Sequence, residues 1–238
     1  MKFKRIMLIF ALIFIPTLSN AQLINTVVAL TGNIFDAVTK EPITAFIWAL
    51  NEAGEREGAT RSNSFENGYY YLSGLKPGKT YTIVIKVPNS NYFIEKYRLY
   101  IANTNKYEEI SKDFLVTPSA IGTKIKLPVP PFELNKSKIR FGGETLLESI
   151  KNTLLNNPKA NFEIHCFPDN SLNNNENLEL TTKRCESLVE YFTNYGIDKS
   201  RIIIKPHKEP DPDDPPPTKK MAKGKRYIGS TYLIITSN

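Results

Sequence analysis

The sequence predicts a chain of two domains, an N-terminal all-β sandwich followed by a C-terminal α+β domain with the element order β-α-β-α-β-β. Three observations carry this. Between Val27 and Val116, short apolar runs are separated by turn-forming pairs such as Asn67-Gly68 and Pro77-Gly78, and closely spaced strands of this kind build two-layered β folds. Ser119 to Pro131 contains Gly122, Pro128, Pro130 and Pro131, which discourage regular structure and read as a linker. Beyond it, two apolar stripes at helical spacing alternate with short apolar runs. The resulting division is 1–21 as a cleaved export signal, 22–117 as the sandwich, 118–131 as the linker and 132–238 as the α+β domain.

The signal rests on Lys2, Lys4 and Arg5 ahead of the apolar run Ile6 to Ile15, with Ser19 and Ala21 offering small residues for cleavage before Gln22. That run is shorter than the roughly 20 residues a spanning helix needs, and Pro16 closes it. No transmembrane segment is expected after cleavage. Three basic residues leave with the signal, which takes the formal charge from +7 to +4. The remaining excess is mild, and an exported chain rarely meets nucleic acid, so nucleic acid is not an expected partner.

In the first domain, Ala45 to Leu50 is a continuous apolar run, and in Tyr81 to Val87 the odd positions form one apolar face. Tyr69, Tyr70 and Tyr71 are consecutive, so they alternate between faces of a strand. One or two of them belong to the core, and the alternative is a sugar-binding platform. Gly32-Asn33-Ile34-Phe35-Asp36-Ala37, Glu41-Pro42-Ile43, Asn67-Gly68-Tyr69-Tyr70 and Leu75-Lys76-Pro77-Gly78-Lys79-Thr80-Tyr81 resemble the carboxypeptidase regulatory-like sandwich. The resemblance implies a spacer or interaction module, with envelope proteins as possible partners.

In the second domain, Phe132 to Ile139 reads as a strand and Glu144 to Asn157 as an amphipathic helix with Leu147, Ile150 and Leu154 inward. Ala160 to Phe167 follows as a strand, 182–195 as a helix with Cys185, Leu188, Val189 and Phe192 inward, and Arg201 to Lys205 and Tyr232 to Ile235 as the last strands. Between these, the proline-rich and acidic stretch at 206–217 precedes Lys219, Lys220, Lys223, Lys225 and Arg226. A solvated, flexible loop is the plain reading, and a basic rim for an anionic polymer is the sharper one.

The chemistry gathers at Ile164-His165-Cys166-Phe167-Pro168-Asp169, with Asn177 eight residues after Asp169, Leu180 three further and Arg184 four beyond that. This spacing resembles the OmpA-like peptidoglycan-binding domain, as do Glu190-Tyr191-Phe192 and Tyr195-Gly196-Ile197-Asp198 downstream. The chain departs from the family pattern at Cys166 and Leu172, which replace glycines, and at Phe167 and Pro168, which stand for His and Thr. Gly229, Ser230 and Thr231 lie where the family closes with Asn-Arg-Arg. The resemblance implies non-covalent binding of peptidoglycan in the periplasm, at the cell wall or outer membrane, through diaminopimelate of the stem peptide.

A diaminopimelate end carries an ammonium and a carboxylate together. Asp169 suits the first, and Arg184, with its planar fork of donors, suits the second. Arg184 falls in the first helical turn if Thr181 is the N-cap, where the helix terminus also favours an anion. Asn177 offers an amide to the peptide backbone. The plainer alternative is that Asp169 and Arg184 pair with each other and bind nothing, leaving an envelope scaffold whose domain has lost the wall.

No Gly-x-Ser-x-Gly elbow, phosphate loop or metal-ligand spacing occurs, which argues for binding over catalysis, with no cofactor or metal. Glu176 and Glu179 near a helix start read as solvated acids. Cys166 and Cys185 are expected in one core, near enough that a disulfide between them is open.

Overall fold

The computed structural model describes residues 27–88, 91–127, 129–170, 173–218 and 226–238. The export signal, Leu172 and the lysines at 219, 220, 223 and 225 lie outside the described residues. In the first part, β1 (Val28–Asp36), β4 (Tyr69–Leu75), β7 (Glu108–Ser111) and β8 (Phe114–Val116) make one sheet. There β1 pairs antiparallel with β4 and parallel with β7 and β8. A second, antiparallel sheet has the order β3 (Arg56–Arg61), β2 (Phe46–Leu50), β5 (Thr80–Lys86), β6 (Glu95–Tyr100).

Leu30, Ile34, Tyr70 and Leu72 of the first sheet share a core with Ile47, Ala49, Tyr81 and Ile83 of the second. The tyrosine triplet divides as strand alternation requires: Tyr70 is buried and donates to the Lys112 carbonyl at 2.7 Å, whereas Tyr69 and Tyr71 are exposed. The Asn67-Gly68 turn places both residues at positive φ, 56° and 74°. Gly68 has a further constraint, since a Cβ there would sit 2.3 Å from the Ile34 carbonyl oxygen.

The second part is a mixed sheet of order β11 (Ile202–Pro206), β10 (Asn161–Cys166), β12 (Thr231–Ser237), β9 (Lys124–Lys126), with helices α1 (Gly143–Asn156) and α2 (Asn174–Asn194). β10 runs parallel to β11 and antiparallel to β12, which in turn pairs antiparallel with β9. Leu147 and Leu154 of α1 and Leu188 and Phe192 of α2 close over Phe162, Ile164, Leu233 and Ile235 of the sheet. The β-α-β-α-β-β order holds, but its first strand is not 132–139. That role falls to Lys124–Lys126, inside the expected linker, because Ile125 has a neighbour in β12 on which to bury itself. Residues 132–139 form an irregular loop whose backbone groups are used elsewhere.

The helix expected from 182 begins two turns earlier. Asn173 is its cap, and its side chain accepts from the backbone N–H of Asn175 and Glu176. Thr181, expected as the cap, is a buried interior residue. The acidic part of the 206–217 stretch is also not a free loop. Lys124 and Lys126 pair with Asp213 and Asp214 at 2.7 Å each, and the Tyr232 hydroxyl donates to buried Asp211.

The two parts meet where α1 lies against the free edge of β6. Thr153 of α1 reaches both carboxylate oxygens of Glu95 at 2.8 and 2.9 Å, and Asn156 and Asn157 donate to the Lys96 and Ile94 carbonyls. Glu95 is buried and has no cation beside it among the described residues. Burial drives its pKa up to about 7 against the opposing hydrogen bonds.

Candidate functional site

Asp169 follows the end of β10 and Arg184 lies on the third turn of α2, and the two meet in a two-pronged ion pair. Arg184 Nη1 donates to Asp169 Oδ1 at 2.7 Å and Nη2 to Oδ2 at 2.8 Å. Both side chains have no exposed surface. A buried pair of charges is tolerable only where the remaining donors and lone pairs are also satisfied, and here they are. Arg184 Nε donates to the Lys136 carbonyl at 3.0 Å, Nη2 to the Glu133 carbonyl at 3.1 Å and Nη1 to the Phe167 carbonyl at 3.4 Å. Asp169 accepts from the backbone N–H of Asn135 at 2.7 Å and of Gly229 at 2.8 Å. The Phe132 ring lies beneath the guanidinium, 5.1 Å from its central carbon.

Gly229 holds its place for a steric reason. A Cβ there would fall 2.1 Å from the Phe167 carbonyl oxygen and 2.5 Å from that of Pro168. A substitution would force β12 away from Asp169. Asn177, the third expected site residue, lies one side of the pair and is buried, donating to the Asn170 carbonyl at 2.8 Å and the Lys208 carbonyl at 3.2 Å. Thr181 lies between Asn177 and Arg184 on the same helix face, its hydroxyl 2.9 Å from the His207 carbonyl oxygen. The structure thus brings Asp169 and Arg184 together, and it sets Asn177 to fastening the loops beside them. It also places Arg184 well inside α2, so the helix terminus does not serve it.

Neighbouring groups complete the environment. His165 Nδ1 and His207 Nε2 are 2.9 Å apart, His165 Nε2 is 3.0 Å from Glu163, and Phe167 stacks flat on the His207 ring at 4.0 Å. Burial, reinforced by His165, lowers the His207 pKa, and the His165 contact lowers that of Glu163. Cys166 and Cys185 are both buried free thiols facing each other in the core. Burial, and then the contact with Cys185, pushes the Cys166 thiol well above its ordinary range. Among the described residues no group of three or more His, Cys, Asp or Glu converges as metal ligands would. A cleft of about 610 Å³ opens elsewhere, between β6, β8 and α1, and is lined by Lys96, Arg98, Lys112 and Glu148.

Three groups of the site carry no side-chain signature in the sequence: the N–H of Asn135 and the carbonyls of Glu133 and Lys136. Gly229 had a faint one, as a glycine just ahead of the last strand.

Residues 131–226 match the model described as the OmpA family. They form an OmpA-family domain. The match spans both Asp169 and Arg184 as well as the 132–139 loop, and it stops short of Gly229. No curated protein matches the chain. Among solved structures, a MotB-like protein from Desulfovibrio vulgaris is 16% identical, with 48% of this chain and 74% of that one covered and a TM-score of 0.37. The shaft pilin SpaA from Lactobacillus rhamnosus GG is 21% identical, with 40% and 47% covered and a TM-score of 0.30. The Bacillus anthracis TIE protein is 17% identical, with 46% and 21% covered and a TM-score of 0.33. The chain therefore spans about half the length of the SpaA pilin it matches. Likenesses this slight carry no functional argument. No helix among the described residues is long and apolar enough to cross a membrane.

Proposed function

We propose that this is an exported cell-envelope protein that associates non-covalently with peptidoglycan through its OmpA-family domain, without catalysis. The supporting observation is the family match over 131–226 together with the meeting of Asp169 and Arg184 inside it. The finer reading is recognition of the diaminopimelate end of a stem peptide. One anion and one cation held side by side suit a group that carries an ammonium and a carboxylate on one carbon. The N-terminal sheets are then a sandwich-type spacer or docking module in the periplasm.

A second reading has an observation of its own. Every donor of Arg184 is already used within the chain, and the pair has no exposed surface. That favours a scaffold in which the pair only stabilises the domain. Calorimetric titration of the mature chain with meso-diaminopimelate, with pimelate (no amines) and lysine (a single carboxylate) as controls, separates the two. Saturable binding of meso-diaminopimelate well above both controls supports recognition; equal or absent heats for all three support the scaffold.

A further inference from the structure

The groups that close off the ion pair come largely from one short turn. Asn135 N–H faces Asp169 Oδ2 at 2.7 Å, while the carbonyls of Glu133 and Lys136 face Arg184 Nη2 at 3.1 Å and Nε at 3.0 Å. A donor set against the carboxylate and two acceptors set against the guanidinium are the polarities that a bound ammonium and carboxylate would present. We infer that the turn 133–136 is a built-in occupant of the site, holding the place of a zwitterionic ligand and yielding it when the ligand arrives. The inference rests on the proposed binding function and adds to it how access to the site is controlled.

Three features fit a segment that can leave. The four residues Glu133, Leu134, Asn135 and Lys136 are all exposed, so the turn buries its backbone contacts and little else. Its flanks are pinned independently: Phe132 is fully buried beneath the guanidinium, and Arg140 N–H donates to the Pro131 carbonyl at 2.8 Å, drawing the neck of the loop shut. The turn can therefore lift without moving β9 or α1. Finally, Asn135 sits at φ 55°, a left-handed conformation that asparagine tolerates at some cost. The Gly229 N–H on Asp169 Oδ1 and the Phe167 carbonyl on Arg184 Nη1 come from other segments. They keep the pair oriented once the turn is away.

The test is residue-specific amide exchange in the full mature chain, read at Asn135. This N–H belongs to an exposed turn and owes its protection to Asp169. It should be protected in the free protein and lose protection when meso-diaminopimelate is added. In parallel, Asn135→Pro removes the N–H and cannot adopt a positive φ. It should bind meso-diaminopimelate roughly tenfold more tightly, as expected when a binding-competent form populated about one part in ten becomes the dominant one. Asn135→Gly keeps both features and should bind as the parent does. Binding by Asn135→Pro where the parent shows none also supports the inference.

Protection at Asn135 that persists in the ligand-bound chain overturns the inference and leaves the binding function standing. The exchange measurement decides this even if the proline variant does not fold. Failure of the parent and of both variants to bind meso-diaminopimelate, and of the parent to bind isolated sacculi, removes the function and the inference together.

Discussion

Asp169 in the OmpA-family domain and Glu95 at its junction with the N-terminal sheets are both carboxylates shut away from water, and the chain handles them in opposite ways. Asp169 faces a guanidinium with which it shares two hydrogen bonds, and two backbone N–H groups finish the job. Glu95 has hydroxyls of Thr153 and Thr117 near it and no cation among the described residues, and its pKa rises to about 7. A buried charge has to be matched or given up. The first site matches its carboxylate with a guanidinium, whereas the second holds a carboxyl whose proton comes and goes near neutral pH.

The sharpest break of this contrast is Arg184→Ala. It strands the Asp169 carboxylate in the core, and removing one partner of a buried pair typically costs about 3–5 kcal/mol. Urea unfolding of the OmpA-family region should lose stability on that scale. A loss below about 1 kcal/mol would mean that the pair is wetter than its geometry. Single alanine variants are consequently poor probes of ligand binding, since they disturb folding first.

Glu95 should give the next largest effect, and one with a sign. Its pKa in the folded chain lies above the ordinary carboxylate value of 4.5, so the folded state holds the proton more tightly than the unfolded state does. The stability it contributes is fully present below about pH 4.5 and is lost as pH rises through 7. The shift corresponds to roughly 3 kcal/mol. Glu95→Gln should flatten the stability profile between pH 5 and 8 and be the more stable protein at pH 8. An unchanged profile would show that Glu95 ionises without cost.

Cys166 and Cys185 provide a smaller check on the same core. As free, buried thiols they should be unreactive towards a thiol reagent in the folded chain, and both should titrate after unfolding without reductant. Absence of titratable thiols in the unfolded, unreduced protein would mean a disulfide there instead. At the far end, the Lys124–Asp213 and Lys126–Asp214 pairs are well exposed, and pairs of this type contribute about 0–1 kcal/mol. Lys124→Ala should shift the urea midpoint only slightly, and less in high salt.

How much of this could be read from the sequence depended on whether a position spoke through its side chain. Helix α1 was legible because Leu147, Ile150 and Leu154 mark its inward face. The first two turns of α2 were not, because the inward positions there are Asn177 and Thr181, which carry on the buried stripe in polar residues. Phe132 and Leu134 are spaced as on one face of a strand, yet the backbone from 133 to 136 is committed to the ion pair rather than to a ladder. The spacing of Asp169, Asn177 and Arg184 picked out residues that the fold brings close, but not their burial. Asn135 and Gly229 act through main-chain N–H groups, which every residue but proline possesses, so the identity of Asn135 announced nothing and that of Gly229 only a close approach ahead of the last strand. The acidic loop looked solvated because its partners, Lys124 and Lys126, stand nearly ninety residues earlier in the chain.

Whether the OmpA-family domain associates with the cell wall is decided by co-sedimentation of the chain with isolated sacculi. The protein should pellet with sacculi, remain in the supernatant without them, and be released by millimolar meso-diaminopimelate but not by pimelate. Protein that stays in the supernatant at every sacculus concentration, although the chain is folded, would contradict it and leave the buried Asp169–Arg184 pair as a structural element alone.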